Sequence, residues 1–366
     1  MKRTFCLAGV LPVLVWVFFS MSEAHSAAPG SWEQVLAKAR QEGRVVLGSG
    51  VGIPSFRQGV TTAFAKKFGI DVEFRVLEGA ELTTLVAREC TAGRPSMDVL
   101  LGGLSELIAV YSKGCLAPAK PRLLLDEVAN SQNWQRGMLK WNDPEGQYFL
   151  QTADQVYGSI AVNSNQVKSK DIVSSKDLLK PQHIGKIASY DPRKSGAGQS
   201  DATYWFAVLG EDYVRRLYVD QKVVYTSDHR QLAEWIARGV YPVGLGTVDR
   251  TVEPMRQEGL PIGIIPSLTD APGYLTGGTS VLKIVKDSPH PNGATVLLNW
   301  LASKEGQEIF SEFTGHPSRR VDVGTKGVPS HRIPSPALDY LDTYTYDFYT
   351  KKRPEISKKL TELLGR

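Results

Sequence analysis

The chain reads as an α/β protein built from two units, and three observations predict this. Strand-like and helix-like periods alternate as βαβαβ between Arg44 and Leu101, a second alternation begins near Tyr148, and apolar strand-like segments return late, at 262–266 and 279–285.

In the first unit, Trp32 to Gln41 has helical spacing and ends at Gly43. Arg44–Leu47 is a short apolar strand that runs into Gly48-Ser49-Gly50-Val51-Gly52. Phe56, Val60, Phe64 and Phe68 recur at four-residue steps and mark a second helix, closed by Gly69. Residues 70–76 alternate like a strand, and Leu82, Leu85 and Val86 mark a third helix that stops near Gly93. Met97–Leu101 is a buried strand ending at Gly102-Gly103. Such an order implies a parallel sheet with helices on both faces.

In the second unit, Tyr157–Asn163 reads as one long strand, and Ser174–Leu179 opens a short capped helix. Ile187–Tyr190 is a strand that enters Asp191-Pro192-Arg193-Lys194-Ser195-Gly196-Ala197-Gly198. Helices are predicted at 201–209, 212–217 and 229–238, with a strand at 241–245. Helices at 294–301 and 306–313 complete the core, followed by a polar, Tyr-rich tail with helical ends.

Residues 1–28 read as a secretory leader. Lys2 and Arg3 precede an apolar run from Phe5 to Met21, and Ser22–Ala28 offers small residues for cleavage. A membrane anchor needs about 20 apolar residues, and this run has about 17 with Pro12 in its middle. The expected location is the periplasm. The formal charge of +5 becomes +4 once Lys2, Arg3 and Glu23 leave with the leader. Lys and Arg are scattered, so no nucleic-acid partner is expected, while a mild positive field favours an anionic small ligand. Cys90 and Cys115 remain; a disulfide between them and a pair of buried free thiols are both open. No CxxC pair or metal-type Cys/His spacing occurs, and neither a cofactor nor a metal is expected.

Lys286-Asp287-Ser288-Pro289-His290-Pro291-Asn292-Gly293-Ala294, followed by Leu298-Asn299-Trp300-Leu301-Ala302-Ser303-Lys304-Glu305-Gly306-Gln307, resembles the late segment of bacterial extracellular solute-binding proteins of ABC transporters. Ala63–Glu73 and Gly93–Val99 resemble early elements of the same family. The subgroup it is most similar to binds ferric ion, thiamine, phosphonates or sugar phosphates. This resemblance implies a two-lobe periplasmic-binding-protein type 2 fold with crossing hinge strands, closing on a ligand by hinge motion. The lobes are expected at 29–155 with 264–312 and at 156–263 with 313–366. It also implies a monomer that delivers a small, anionic ligand to a membrane permease.

Within that frame the candidate ligand contacts follow from strand ends and helix starts. Ser195, Gly196 and Gly198 precede a helix, where unpaired N–H groups attract an anion, and Arg193 stands next to them. Ser49 and Gly50 follow the first strand, and Gly103 follows the third. Thr247 and Asp249 end a strand, and Tyr274 lies in a Gly- and Pro-rich loop before a late strand. Iron-binding members carry adjacent tyrosines where this chain reads Gly246-Thr247-Val248-Asp249-Arg250, which argues against a ferric ion. Tyr340, Tyr344, Tyr346 and Tyr349 are expected to pack a C-terminal helix. No GxSxG, HExxH or P-loop is present, and the six histidines form no i, i+4 pair, so no catalytic set is named. The readings that remain beside an importer's binding protein are a ferric-ion carrier, an exported hydrolase or transferase on a similar scaffold, and a sensory binding module.

Overall fold

The computed structural model describes residues 30–77, 79–194 and 196–365; the leader expected at 1–28 lies outside the described residues. In chain order the first part contains α1 (Trp32–Glu42), β1 (Arg44–Ser49), α2 (Pro54–Phe68), β2 (Asp71–Val76), α3 (Gly79–Thr91), β3 (Val99–Gly102), α4 (Ser105–Tyr111), β4 (Leu116–Ala117), α5 (Asp126–Ala129), β5 (Lys140–Trp141) and β6 (Leu150–Gln151). Then come β7 (Gln155–Tyr157), β8 (Ile160–Asn163), β9 (Ile187–Tyr190), α6 (Ala197–Arg215), β10 (Val224–Thr226), α7 (His229–Ala237), β11 (Val243–Leu245), α8 (Asp249–Gln257) and β12 (Ile262–Ile265). The chain ends with β13 (Tyr274–Thr276), β14 (Val281–Val285), α9 (Pro291–Ala302), α10 (Lys304–Thr314), β15 (Leu341–Asp342) and α11 (Arg353–Leu364).

β1, β2 and β3 pair in parallel, and the late strand β14 joins β3 antiparallel, giving the order β2-β1-β3-β14-β6-β5 with β4 beside β14. Both faces of this sheet are covered, as its strands require. Val45, Leu47, Val99, Leu101, Leu282 and Ile284 point into one core with Phe56, Phe64 and Trp300. Val46, Leu100, Val281 and Val285 point into the opposite core with Leu82, Met97 and Phe149. The second sheet runs β10-β9-β11-β8-β12, with β9 parallel to both β10 and β11. Between the two lies a small sheet, β15-β13-β7, whose strands carry the chain across.

Three expectations need correction. Tyr157–Asn163 is not one strand: Gly158 has φ 96°, and the chain turns there, leaving β7 in the crossing sheet and β8 in the second. The two helices expected at 201–217 are one, which starts earlier at Ala197 and is interrupted at Gly210 (φ 85°). The tail after residue 313 touches both sheets' sides. Arg320 lies over Trp134 at 5.6 Å and donates to the Glu127 carbonyl at 3.0 Å, and the Ser318 hydroxyl donates to Gln307 at 2.9 Å, all on the first sheet's side. Farther along, His331 and Arg332 pair with Asp249 of α8, and Leu341, Ile356 and Leu360 pack on the second core. Tyr344, expected beside a C-terminal helix, packs in the first lobe's core, and Tyr349 lies against it.

Cys90 and Cys115 are joined by a disulfide with Cα atoms 5.7 Å apart, closing the choice that spacing left open. No helix among the described residues is long and apolar enough to cross a membrane.

A candidate anion cavity beside the crossing strands

A cavity of about 260 Å³ opens where the crossing strands meet the second lobe. Gln155 and Tyr157 of β7 and Tyr274 and Thr276 of β13 form its floor. The start of α6 contributes Gly196, Ala197, Ser200 and Thr203, α7 contributes His229, and α8 contributes Arg250 with Val248 just before it. The last wall is Thr343, Phe348, Tyr349 and Arg353, from the tail. Two arginines therefore face the space, and no aspartate or glutamate does among the described residues.

Close backbone packing brings these pieces together. A Cβ on Gly198 would stand 2.0 Å from the Tyr190 carbonyl oxygen, and one on Gly246 would stand 2.8 Å from the Gly198 Cα. The 246–250 loop can thus lie directly on the first turn of α6. Asp201 locks that approach: its carboxylate accepts from the Gly246 N–H at 2.8 Å and from the Tyr274 hydroxyl at 3.0 Å. One buried side chain so ties α6, the loop that carries Arg250, and the crossing strand.

Burial pushes the Asp201 carboxyl up to about 7, against the lowering effect of the Tyr274 and Gly246 donors. A raised folded value means that the native state binds this proton more tightly than the unfolded chain does. The associated stability is fully present below the ordinary value of 3.8 and is lost as pH rises through about 7. The melting temperature should accordingly fall as pH rises from about 4 to about 7 and level off above, and Asp201→Asn should flatten that segment of the profile. An unchanged pH profile in the variant would remove Asp201 as its source.

The Tyr274 phenol is held far above its ordinary value by burial and by the neighbouring Asp201, so it stays protonated. His229 stacks on Tyr190 with ring centroids 4.0 Å apart, and burial followed by Arg250 lowers its imidazole below the ordinary histidine range, against Asp228. Gly196 at the N-cap of α6 has no side chain to accept from the first N–H groups, and no other side chain among the described residues caps them.

Of the residues chosen from sequence, Gly196 and Tyr274 are at this cavity. Ser195 lies outside the described residues. Gly198 does not face the cavity, because it serves the contact with Tyr190 and Gly246. Arg193 is turned away and occupied: its guanidinium pairs with Asp191 at 2.9 Å through two nitrogens and lies 5.2 Å over the Tyr225 ring. Thr247 and Asp249 line a separate, narrow crevice beside β7, where Asp249 pairs with Arg332 and shares a 3.0 Å hydrogen bond with His331. Ser49 is buried at the end of β1, its hydroxyl accepting from the Val51 N–H at 3.0 Å, and Gly103 gives its carbonyl to Lys283 at 3.3 Å. Neither these two nor Gly50 touches the cavity.

Arg250, Arg353, Ser200, His229 and Gln155 are the residues that sequence reasoning missed. Arg250 stood in the quoted loop, and its place at the first turn of a helix beside a glycine turn was the available signal. Arg353 had none, since it reaches the cavity only through the path of the tail.

The comparisons with known proteins agree with this architecture. Residues 49–308 match the family described as bacterial extracellular solute-binding protein. An uncharacterized protein of Haemophilus influenzae is 25% identical over 262 residues, covering 68% of this chain and 70% of that one. The structure of the Trichodesmium protein IdiA (FutA) in complex with iron and citrate superimposes with a TM-score of 0.66 at 19% identity, over 88% of this chain and 99% of that one. The periplasmic binding protein AfuA of Actinobacillus pleuropneumoniae, with fructose-6-phosphate bound, gives 0.59 at 18% identity, over 88% and 99%. With its two α/β lobes joined by a crossing sheet, this chain belongs to the bacterial extracellular solute-binding protein family.

Proposed function

We propose that the protein is the exported, periplasmic binding component of an ABC importer and captures a small anionic solute in the cavity beside the crossing strands. The observation that carries this reading is the charge of the cavity lining: Arg250 and Arg353 with no carboxylate among the described residues. A cation placed there would meet two like charges, whereas an oxyanion would meet two counter-charges and the positive end of the α6 dipole. The volume, about 260 Å³, is below the range of drug-sized pockets, about 300–1,000 Å³, and suits a small solute.

Delivery needs the liganded and empty forms to differ, so that the permease can tell them apart. The crossing sheet supports a hinge, and the lobes of this proposal exchange chain at β7, at β13 and again in the tail. Ser49, Gly50 and Gly103, at the carboxyl ends of β1 and β3, form the opposing jaw of this proposal through their main chain. The mature chain acts as a monomer, with the permease as its partner, and capture without chemistry is its role.

A ferric reading keeps one specific support, the phenols of Tyr157, Tyr274 and Tyr349 at the cavity. Against it, Tyr274 is held protonated and already donates to Asp201, and the two guanidinium groups repel a trivalent cation.

A thermal-shift panel of inorganic phosphate, citrate, phenyl phosphate, benzoate and ferric chloride tests the assignment. Anions at a hundredfold excess over Kd should stabilise by about 2.7 kcal/mol. Arg250→Gln should weaken the best anion about tenfold, since it removes one charge-assisted contact. Stabilisation by the ferric ion alone, with no response to any anion, would overturn the proposal.

A further inference from the structure

The family match ends at residue 308, yet four of the residues that wall the cavity come from beyond it, at 343–353. The tail is fixed at both ends of this stretch. β15 adds in parallel to β13, and Tyr344 then accepts the Leu104 N–H at 2.6 Å and donates to the Gly278 carbonyl, inside the first lobe's core. Beyond the cavity, α11 packs along α6 in the second lobe. Arg353 sits at the passage between these anchors.

The guanidinium of Arg353 is half-buried and donates to the Gln199 side chain in the first turn of α6 at 3.1 Å. It also lies 4.8 Å from the Tyr349 ring centroid. No acid among the described residues pairs with it, so most of its five N–H donors are uncommitted while its plane is held by a hydrogen bond and a ring. Phe348 and Tyr349 continue the lining, which also includes Tyr157 and Tyr274. One charged fork and several aromatic side chains thus line the same small space.

Resting on the anion-capture reading above, we infer that Arg353 and Tyr349 are the specificity-determining residues of the cavity and select an organic anion: an oxyanion head bound to the Arg353 fork, joined to a flat or ring-shaped body against Tyr349. Inorganic anions fill only the head position. The determinant is carried by the tail, so the matched region alone does not define the ligand.

The test compares inorganic phosphate with phenyl phosphate and benzoate by calorimetric titration of the full mature chain. The wild type should bind phenyl phosphate more tightly than inorganic phosphate. Arg353→Gln should weaken both phosphates about ten- to hundredfold, with Arg353→Lys in between because charge remains and the fork is lost. Tyr349→Ala should weaken phenyl phosphate several-fold more than inorganic phosphate, which loses only the ring that helps hold the Arg353 plane, a split that a merely structural role would not produce. The melting temperature of each unliganded variant checks the fold, and Tyr349→Phe, which keeps the ring, should retain phenyl phosphate affinity. If Arg250→Gln weakens binding while Arg353→Gln does not, or if inorganic phosphate binds as tightly as its phenyl ester, this inference is overturned and anion capture stands. If neither these three anions nor citrate binds the wild type, anion capture itself falls.

Discussion

Asp154→Ala should cost about 3–5 kcal/mol of unfolding free energy. Asp154 is 2% exposed, immediately before the crossing strand β7. Its carboxylate accepts from Arg319, from the Gln151 amide, and from Lys140 at 3.3 Å; Lys140 in turn reaches Asp342 at 2.7 Å. Arg319 is only 5% exposed, and its Nε already lacks a partner. Removing the carboxylate would leave that guanidinium buried without a counter-charge, and the desolvation it has already undergone would no longer be offset. Urea unfolding of the variant at neutral pH measures the loss. Asp154→Asn should cost less, since one acceptor oxygen remains. A loss below about 1 kcal/mol for the alanine variant would mean that water reaches Arg319, and that the tail and the crossing strand are not held together by this charge.

The same cluster illustrates which parts of the molecule the sequence made readable. The βαβαβ order was plain because Phe56, Val60, Phe64 and Phe68 repeat with the helical period and all four are buried, and because strands covered on both faces leave continuous apolar runs such as Val45–Leu47. Gly158 was not readable as a break, since a glycine within an apolar run looks the same whether its φ is negative or positive until the packing is known. Site residues fared worse for a related reason. Glycines and hydroxyls at strand ends are common, and of those chosen only Gly196 and Tyr274 reach the cavity. Arg193 looked free in sequence, but Asp191, two positions away, holds it. Arg353 lies 157 positions after Gly196, and nothing in its local pattern connects it with α6; only β15 on β13 and Tyr344 in the first lobe's core direct the tail to the cavity. Local periodicity fixes what an element is, whereas a ligand cavity depends on which distant elements meet.

Loss of the Cys90–Cys115 disulfide should lower the unfolding free energy by about 3–4 kcal/mol, as expected when a loop of this length is no longer closed in the unfolded chain. The bridge ties the end of α3 to the residue preceding β4, and both sulfur-bearing side chains pack in the core that holds Leu82, Val86 and Phe149. A double variant, Cys90→Ser with Cys115→Ser, and the wild type unfolded in a reducing buffer should lose similar amounts, because each restores freedom to the same segment. Neither cysteine is at the cavity, so the affinity for an anionic probe should be the same with and without the bridge. That pairing of outcomes separates the two halves of the argument. A stability loss without an affinity loss places the disulfide in the scaffold of the first lobe, and it also fits export, since the bond forms and persists in an oxidising compartment. Equal stability of bridged and unbridged protein would show that the core around Phe149 alone fixes α3 against β4, and the entropic account of this bond would be wrong.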